Sequence, residues 1–419
     1  MYLIDGPIVA PISSDLYYVN TNNSWDTAEW SGDPTFWGFW HAAHVAGVVA
    51  SMNNNFLLRG INPGQVLSVY GGSTSDSGVM DRFNQITAYS ELSYEWGVIN
   101  ISINHGPLAP SANPYEFSND IGRSMAIASN TNLITQAAGN NNGDACNYGY
   151  SFNGSSLAFD GIVVTGGHDL NGARAIDDTV VFNNYGISGP VPGSNSGPCI
   201  DLWAPSRQIT SLRYNTNLTQ VLSGTSFSAP IAGAIASRYG NNQTRPVERE
   251  SFLRAYAQHT GYYDATSRPI LSVKWSTGST GVLKRYALSG VWSPQNTTNI
   301  NNLKDGSYQG IWNAMGNTGT VVIDLGQNRN VRLIRVTPRS SIVTIANGIY
   351  PIYFSIAPTS SGTSTAPTGA YQGGSTPKHF DRTPISIALD SPINSRYLIL
   401  NGHNYGSWLA YSEIEVYGY

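Results

Sequence analysis

The stretch SGTSFSAPIAGAIAS, residues 223–237, decides how this chain is read. It sets Ser226 at the head of a run of small and apolar residues that suits a buried helix. A helix start offers free backbone N–H groups and the positive end of the dipole. Taken alone, Ser226 reads equally well as an N-cap, the commonest use of serine at that position. The reading sharpens only as the chain is followed outward.

Upstream, HAAHVAGVVAS (41–51) is a second small-residue helix, with His41 at its start. MYLIDG (1–6) is an apolar strand ending in Asp5, and QAAGNNNGD (136–144) places Asn140 where another strand stops. Each has an ordinary structural explanation: a turn aspartate, a satisfied helix histidine, a loop amide. Together they supply what acyl transfer needs. A serine hydroxyl is a weak nucleophile that needs a base within reach. A histidine can take its proton and return it to the leaving amine. An acid fixes the imidazole tautomer. A side-chain amide beside a helix N-terminus can hold a developing oxyanion.

Around these groups, VLSVYGG (66–72), GVINISINHG (97–106), NLITQAAGN (132–140) and FDGIVVTGG (159–167) read as buried strands, and 78–97 has helical spacing. Strands alternating with helices predict an α/β fold with a mostly parallel sheet and flanking helices over residues 1–275. After ILSVKW (270–275) the helical pattern stops. STGSTG begins a linker at 276–282, and 283–419 is short strands between turn signals: 319–326, 331–338, 352–357, 385–390, 396–402 and 412–418. That predicts a C-terminal all-β sandwich or jelly roll, with a long polar loop at 358–378.

Composition narrows the function. Charged residues are only 11% and hydrophobic residues 41%, which excludes a highly charged disordered chain. Net charge is −4 with no basic run, so nucleic acid is not an expected partner. No apolar stretch approaches the ~18–20 residues of a membrane span, and no signal peptide is visible at the N-terminus. Cys146 and Cys199 read either as two unrelated buried thiols or as one bridge, which would favour an oxidising compartment.

The order Asp5, His41, Asn140, Ser226 resembles the subtilase family of serine proteases, as do the motifs around them. DACNYGY (144–150), VVFNNYG (180–186) and CIDLWAPS (199–206) resemble its proteinase-K-like branch, which implies a Cys146–Cys199 disulfide. The resemblance implies a subtilisin-like fold, an Asp5–His41–Ser226 triad and an Asn140 oxyanion hole. It also implies a substrate cleft walled by Ser102, Ile103 and Asn104 and by Ala137, Ala138 and Gly139. Such a segment pairs with an extended peptide as an added strand. No cofactor is expected for catalysis. Three departures stand out: Asp5 is followed by Gly6-Pro7, Ala42-Ala43 lie between the two histidines, and Asn104 stands where the family has glycine.

The C-terminal region, through LKDGSYQGIW (303–312), 319–336 and YSEIEVYG (411–418), resembles discoidin-type galactose-binding-like sandwiches. This implies glycan binding, with Tyr405 and Trp408 as stacking candidates, and a structural Ca²⁺ with Asp305 and Glu413 as ligands. The leading expectation is a serine endopeptidase acting on protein or peptide, extracellular or on a virus particle, tethered to a glycan or particle surface. The alternative is a particle-bound structural or adhesive protein, for instance viral, with little protease activity. An esterase uses the same triad, but the peptide-binding segment argues against it.

Overall fold

The structure, a computed structural model, describes residues 1–8, 13–22, 37–54, 58–72, 75–103, 120–147, 159–178, 191–214, 216–339, 352–359, 372–375, 382–404 and 408–419. Asn104, Tyr405 and the 180–186 motif lie outside them. The described residues form two compact units, one within 1–280 and one built on Gly281–Tyr419.

The first unit runs β1 (Tyr2–Asp5), β2 (Val19–Asn20), α1 (Trp37–Ala50), β3 (Leu67–Gly71), α2 (Asp76–Ser93), β4 (Val98–Ile101), α3 (Asp120–Ala128), β5 (Leu133–Ala137), β6 (Ile162–His168), β7 (Ile176–Asp178), β8 (Val191–Gly193), β9 (Leu202–Pro205), β10 (Ile209–Leu212), β11 (Thr219–Leu222), α4 (Thr225–Ser237), α5 (Pro246–Tyr256), β12 (Gln258–Tyr263) and β13 (Pro269–Ser272). Nine strands make one sheet in the order β2-β3-β1-β4-β5-β6-β9-β13-β12. Every neighbouring pair is parallel except the edge hairpin β12–β13.

The sheet is buried on both faces, as parallel sheets are. Leu3 and Val69 pack with Val45, Val49 and Phe227, toward α1 and α4. Their chain neighbours Ile4 and Tyr70 pack with Val79, Phe83 and Met125, toward α2 and α3. Residues one apart on a strand face opposite ways, so continuous apolar runs such as YLI are what this position demands. Each such side chain taken fully out of water contributes about 2 kcal/mol.

The topology places the site. The chain leaves β1 through α1 to β3 on one side, then crosses through α2 to β4 on the other. Crevices open at the carboxyl ends of strands where the order reverses in this way. Asp5 ends β1, Ser102 and Ile103 follow β4, and Ala138 to Asn140 follow β5. Asp5, Ser102, Ile103 and Ala138 to Asn140 therefore lie at the carboxyl ends of neighbouring strands.

The second unit has β14 (Lys284–Arg285), β15 (Gly290–Trp292), β16 (Trp312–Asn313), β17 (Thr318–Pro338), β18 (Ile352–Thr359), β19 (Gln372–Ser375), β20 (Ile385–Asn404) and β21 (Ala410–Gly418). They form one eight-stranded antiparallel sheet over a core that includes Trp312 stacked on Tyr411. Two expectations change here. Runs 319–326 and 331–338 are one strand, because Gly326, at φ +77°, absorbs a register shift instead of reversing the chain. Likewise 385–390 and 396–402 both belong to β20, and the polar loop at 358–378 contains β19.

Cys146 and Cys199 form a disulfide, with Cα atoms 5.1 Å apart. It sits beside Ala138, Ala145 and Trp203. The bridge spans 53 residues, and removing it is expected to cost about 4 kcal/mol of stability by freeing the unfolded chain. Guanidinium unfolding of the Cys146→Ser/Cys199→Ser variant against wild type measures it.

Candidate active site

His41 lies in the second turn of α1, and its Nδ1 is 2.8 Å from Asp5 Oδ1. Asp5 is fully buried, and the same oxygen accepts the Gly6 N–H at 2.7 Å. Nδ1 is thereby fixed as the protonated nitrogen, and Nε2 carries the lone pair. Arg82, buried on α2, donates to the Asp5 carbonyl oxygen at 3.3 Å and so holds the end of β1.

Helix α4 brings the serine. Its N-cap, Gly224, has φ +145°, a conformation side chains rarely adopt, and a Cβ there would lie 3.3 Å from Asn140 Nδ2. The Asn140 Oδ1 accepts the Thr225 N–H at 2.8 Å and the Thr225 hydroxyl at 3.0 Å. This orientation turns Nδ2 away from Thr225 as a donor. Ser226 is the second residue of the helix, and its hydroxyl donates to the Ser102 carbonyl oxygen at 3.1 Å. The next residue, Phe227, lies 5.8 Å ring to ring from His41. Ala42, which departs from the family motif, is fully buried in the same core cluster as Phe227.

The expected cleft walls play unequal parts. Ser102 touches Ser226 directly, whereas the Ile103 side chain is core, packed with Ile121 and Met125. Ala137 is still strand, paired with Thr165. Ala138 and Gly139 are pinned by a residue the sequence did not single out. Asn195 is fully buried; its Nδ2 donates to the Ala138 carbonyl oxygen at 2.9 Å and its N–H to that of Gly139 at 2.9 Å. Its Oδ1 accepts the N–H groups of Asn141 and Gly143. One amide side chain thus braces both flanks of Asn140. Nothing local marks it, since its partners lie more than 50 residues away.

A model of the subtilase family matches residues 4–286, about two-thirds of the chain. The chain belongs to the subtilase family. This subtilase is 27% identical over 219 residues to alkaline serine exoprotease A of Vibrio alginolyticus, a match covering 51% of this chain and 34% of that protein. It is 29% identical over 200 residues to an extracellular serine proteinase of Thermus sp. (strain Rt41A), covering 47% of this chain and 40% of that one. The chain therefore spans well under half the length of these relatives. Among solved structures it overlays a cold adapted subtilisin-like serine proteinase with a TM-score of 0.47 and 21% identity, over 66% of this chain and 88% of that one.

In the second unit, Trp408 is 59% exposed. Of the two carboxylates expected to hold a cation, Asp305 accepts the Ser307 N–H through Oδ1 at 2.7 Å. Glu413 is fully buried, with Oε1 on the Arg285 guanidinium at 2.6 Å and Oε2 on the Gly306 N–H at 3.0 Å. Among the described residues no cluster of acidic, histidine or cysteine side chains suits a metal.

His44 is the other histidine of the motif. It is fully buried, its Nε2 donates to the Ile209 carbonyl oxygen at 3.1 Å, and its ring lies 4.4 Å from Phe227. Burial above all, then His41, pushes it down to about 3. In the unfolded chain it titrates near 6.5. Between those values the unfolded state binds the extra proton, so stability falls as pH drops through the window. This residue alone is expected to remove about 3 kcal/mol between pH 6.5 and pH 4. Denaturant unfolding at both pH values should show a smaller loss in His44→Gln than in wild type.

Proposed function

We propose that this subtilase is a serine endopeptidase in which Asp5, His41 and Ser226 form the triad and Asn140 serves the oxyanion hole. The observation that carries the reading is the 2.8 Å bond between Asp5 and His41, set against a helix whose first turn holds Ser226 and touches Asn140. His41 Nε2 takes the Ser226 proton as Oγ bonds to the substrate carbonyl carbon. The carbonyl oxygen becomes an oxyanion, held by Asn140 Nδ2 and by N–H groups at the start of α4. When it collapses, the peptide C–N bond breaks and the amine leaves with the proton from His41. Water then attacks the acyl-enzyme by the same route in reverse. An extended peptide pairs along the Ser102–Ile103–Asn104 segment, with Ala137, Ala138 and Gly139 as the opposite wall of the cleft.

The substrate is protein, and the site of action is outside the cell. The disulfide suits an oxidising compartment, and among the described residues no helix is long and apolar enough to cross a membrane. The second unit is a discoidin-like β-sandwich that tethers the enzyme to a glycan or particle surface. Its exposed Trp408 supports that assignment, since an aromatic face is a ready platform for a sugar ring.

Ser226→Ala is expected to abolish cleavage of unfolded casein without moving the melting temperature. A fluorophosphonate probe should label wild type on the Ser226 peptide. A folded wild type that neither cleaves nor labels is not a peptidase. Asn140→Ala should lower kcat about 100- to 1000-fold. For the tether, Trp408→Ala should weaken retention on immobilised polysaccharide while kcat/KM on a short peptide stays unchanged; equal retention of the two proteins would remove Trp408 from the binding role.

A further inference from the structure

A missing hydrogen bond lies next to the nucleophile. In an α-helix the Ser226 carbonyl oxygen would accept the N–H of residue 230, and residue 230 is proline, which has none. The Ser102 hydroxyl fills the vacancy, donating to the Ser226 carbonyl oxygen at 2.8 Å. Behind it stands a buried chain with a fixed direction. Thr135 Oγ1 donates to Asn100 Oδ1 at 3.3 Å, and Asn100 Nδ2 donates to Ser102 Oγ at 2.9 Å. Asn100 and Thr135 face each other in register on β4 and β5, and both are fully buried.

Each link sets the polarity of the next. The Thr135 hydroxyl fixes which end of the Asn100 amide is oxygen. The amide nitrogen then donates to Ser102 Oγ, whose own proton is directed to Ser226. A hydroxyl is a free rotor unless its neighbours choose for it. The rest of β4, Val98, Ile99 and Ile101, is fully buried and apolar. An amide in such a strand costs desolvation that its hydrogen bonds only offset, so the fold alone gives no reason for Asn100.

We propose that Asn100 is a positioning residue for Ser226, acting through Ser102 to hold the peptide plane that Pro230 leaves without its helical partner. The proposal rests on the peptidase reading and adds a role for a residue outside the triad and the cleft. With the carbonyl of Ser226 held, the Cα–Cβ direction is held, and Oγ is kept within reach of a substrate carbon. Reactions of this kind lose rate steeply when the attacking atom is displaced by a fraction of an ångström.

The test is a double-mutant cycle on the whole chain, with kcat and KM on a short peptide, the rate and final extent of fluorophosphonate labelling, and thermal melting. Asn100→Ala should lower kcat about tenfold, the scale of one well-placed hydrogen bond. KM should stay within about twofold, because Asn100 touches no substrate. Labelling should slow in proportion and still reach completion. Because Asn100 acts through the Ser102 hydroxyl, Asn100→Ala/Ser102→Ala should be no slower than Ser102→Ala alone. Additive losses, or a lowered melting point with unchanged kcat, would overturn the proposal and leave Asn100 a folding residue. Should Asn100→Ala fail to fold, Thr135→Val keeps the shape and removes the first donor. It should give a smaller kcat loss that likewise vanishes in the Ser102→Ala background, and no loss would overturn the proposal too. A folded wild type without cleavage or labelling refutes the peptidase reading itself, a result distinct from an active wild type with an additive cycle.

Discussion

The first turn of α4 is where the candidate site is held together. Gly139 and Asn140 bond to Thr225, Ser102 bonds to Ser226, the His41 and His44 rings lie against Phe227, and Ser228 donates to the Ala204 carbonyl oxygen. The helix reaches these partners because it lies on the sheet face it shares with α1. The far end is secured separately: the buried Arg249 guanidinium donates to the carbonyl oxygens of Ala236 at 2.7 Å and Asn241 at 2.6 Å, capping the last turn. Held at both ends, α4 serves as the frame against which the other groups are aligned.

The arrangement separates two electrostatic tasks. His41 bonds through Nδ1 to a buried carboxylate. His44, three residues on, is kept neutral by burial and packs behind Phe227. One helix thus holds two imidazoles in different surroundings.

Much of this was legible in the sequence because its signals are short-range. Asp5, Asn140 and Ser226 each stand where an apolar run ends or a helix begins, and the parallel sheet follows from runs apolar on both faces. His41 reads as a helix start but lies in the second turn of α1, which begins at Trp37. The supporting residues were not legible, since each works across long sequence distances. Arg82 reaches Asp5 from 77 residues away and Asn195 reaches Asn141 from 54. In the second unit a glycine after a strand reads as a turn or as a bulge by the same local signs. At Gly326 the pairing of Asp324 with Arg396, 72 residues on, accompanies the bulge. The pairing of Glu413 with Arg285, 128 residues away, was likewise not legible.

The interior position of β1 also bears on when the candidate site can assemble. Strand β1 lies inside the sheet, bonded on one side to β3 and on the other to β4. The serine arrives on a helix 124 residues beyond the Ser102 that clasps it. Contacts of such separation form late, since loop closure must come before any packing can repay it. A partial chain that holds only β1 to β6 carries Asp5 and His41 but lacks the helix that presents Ser226. The groups of the candidate site therefore come together only when nearly the whole first unit exists.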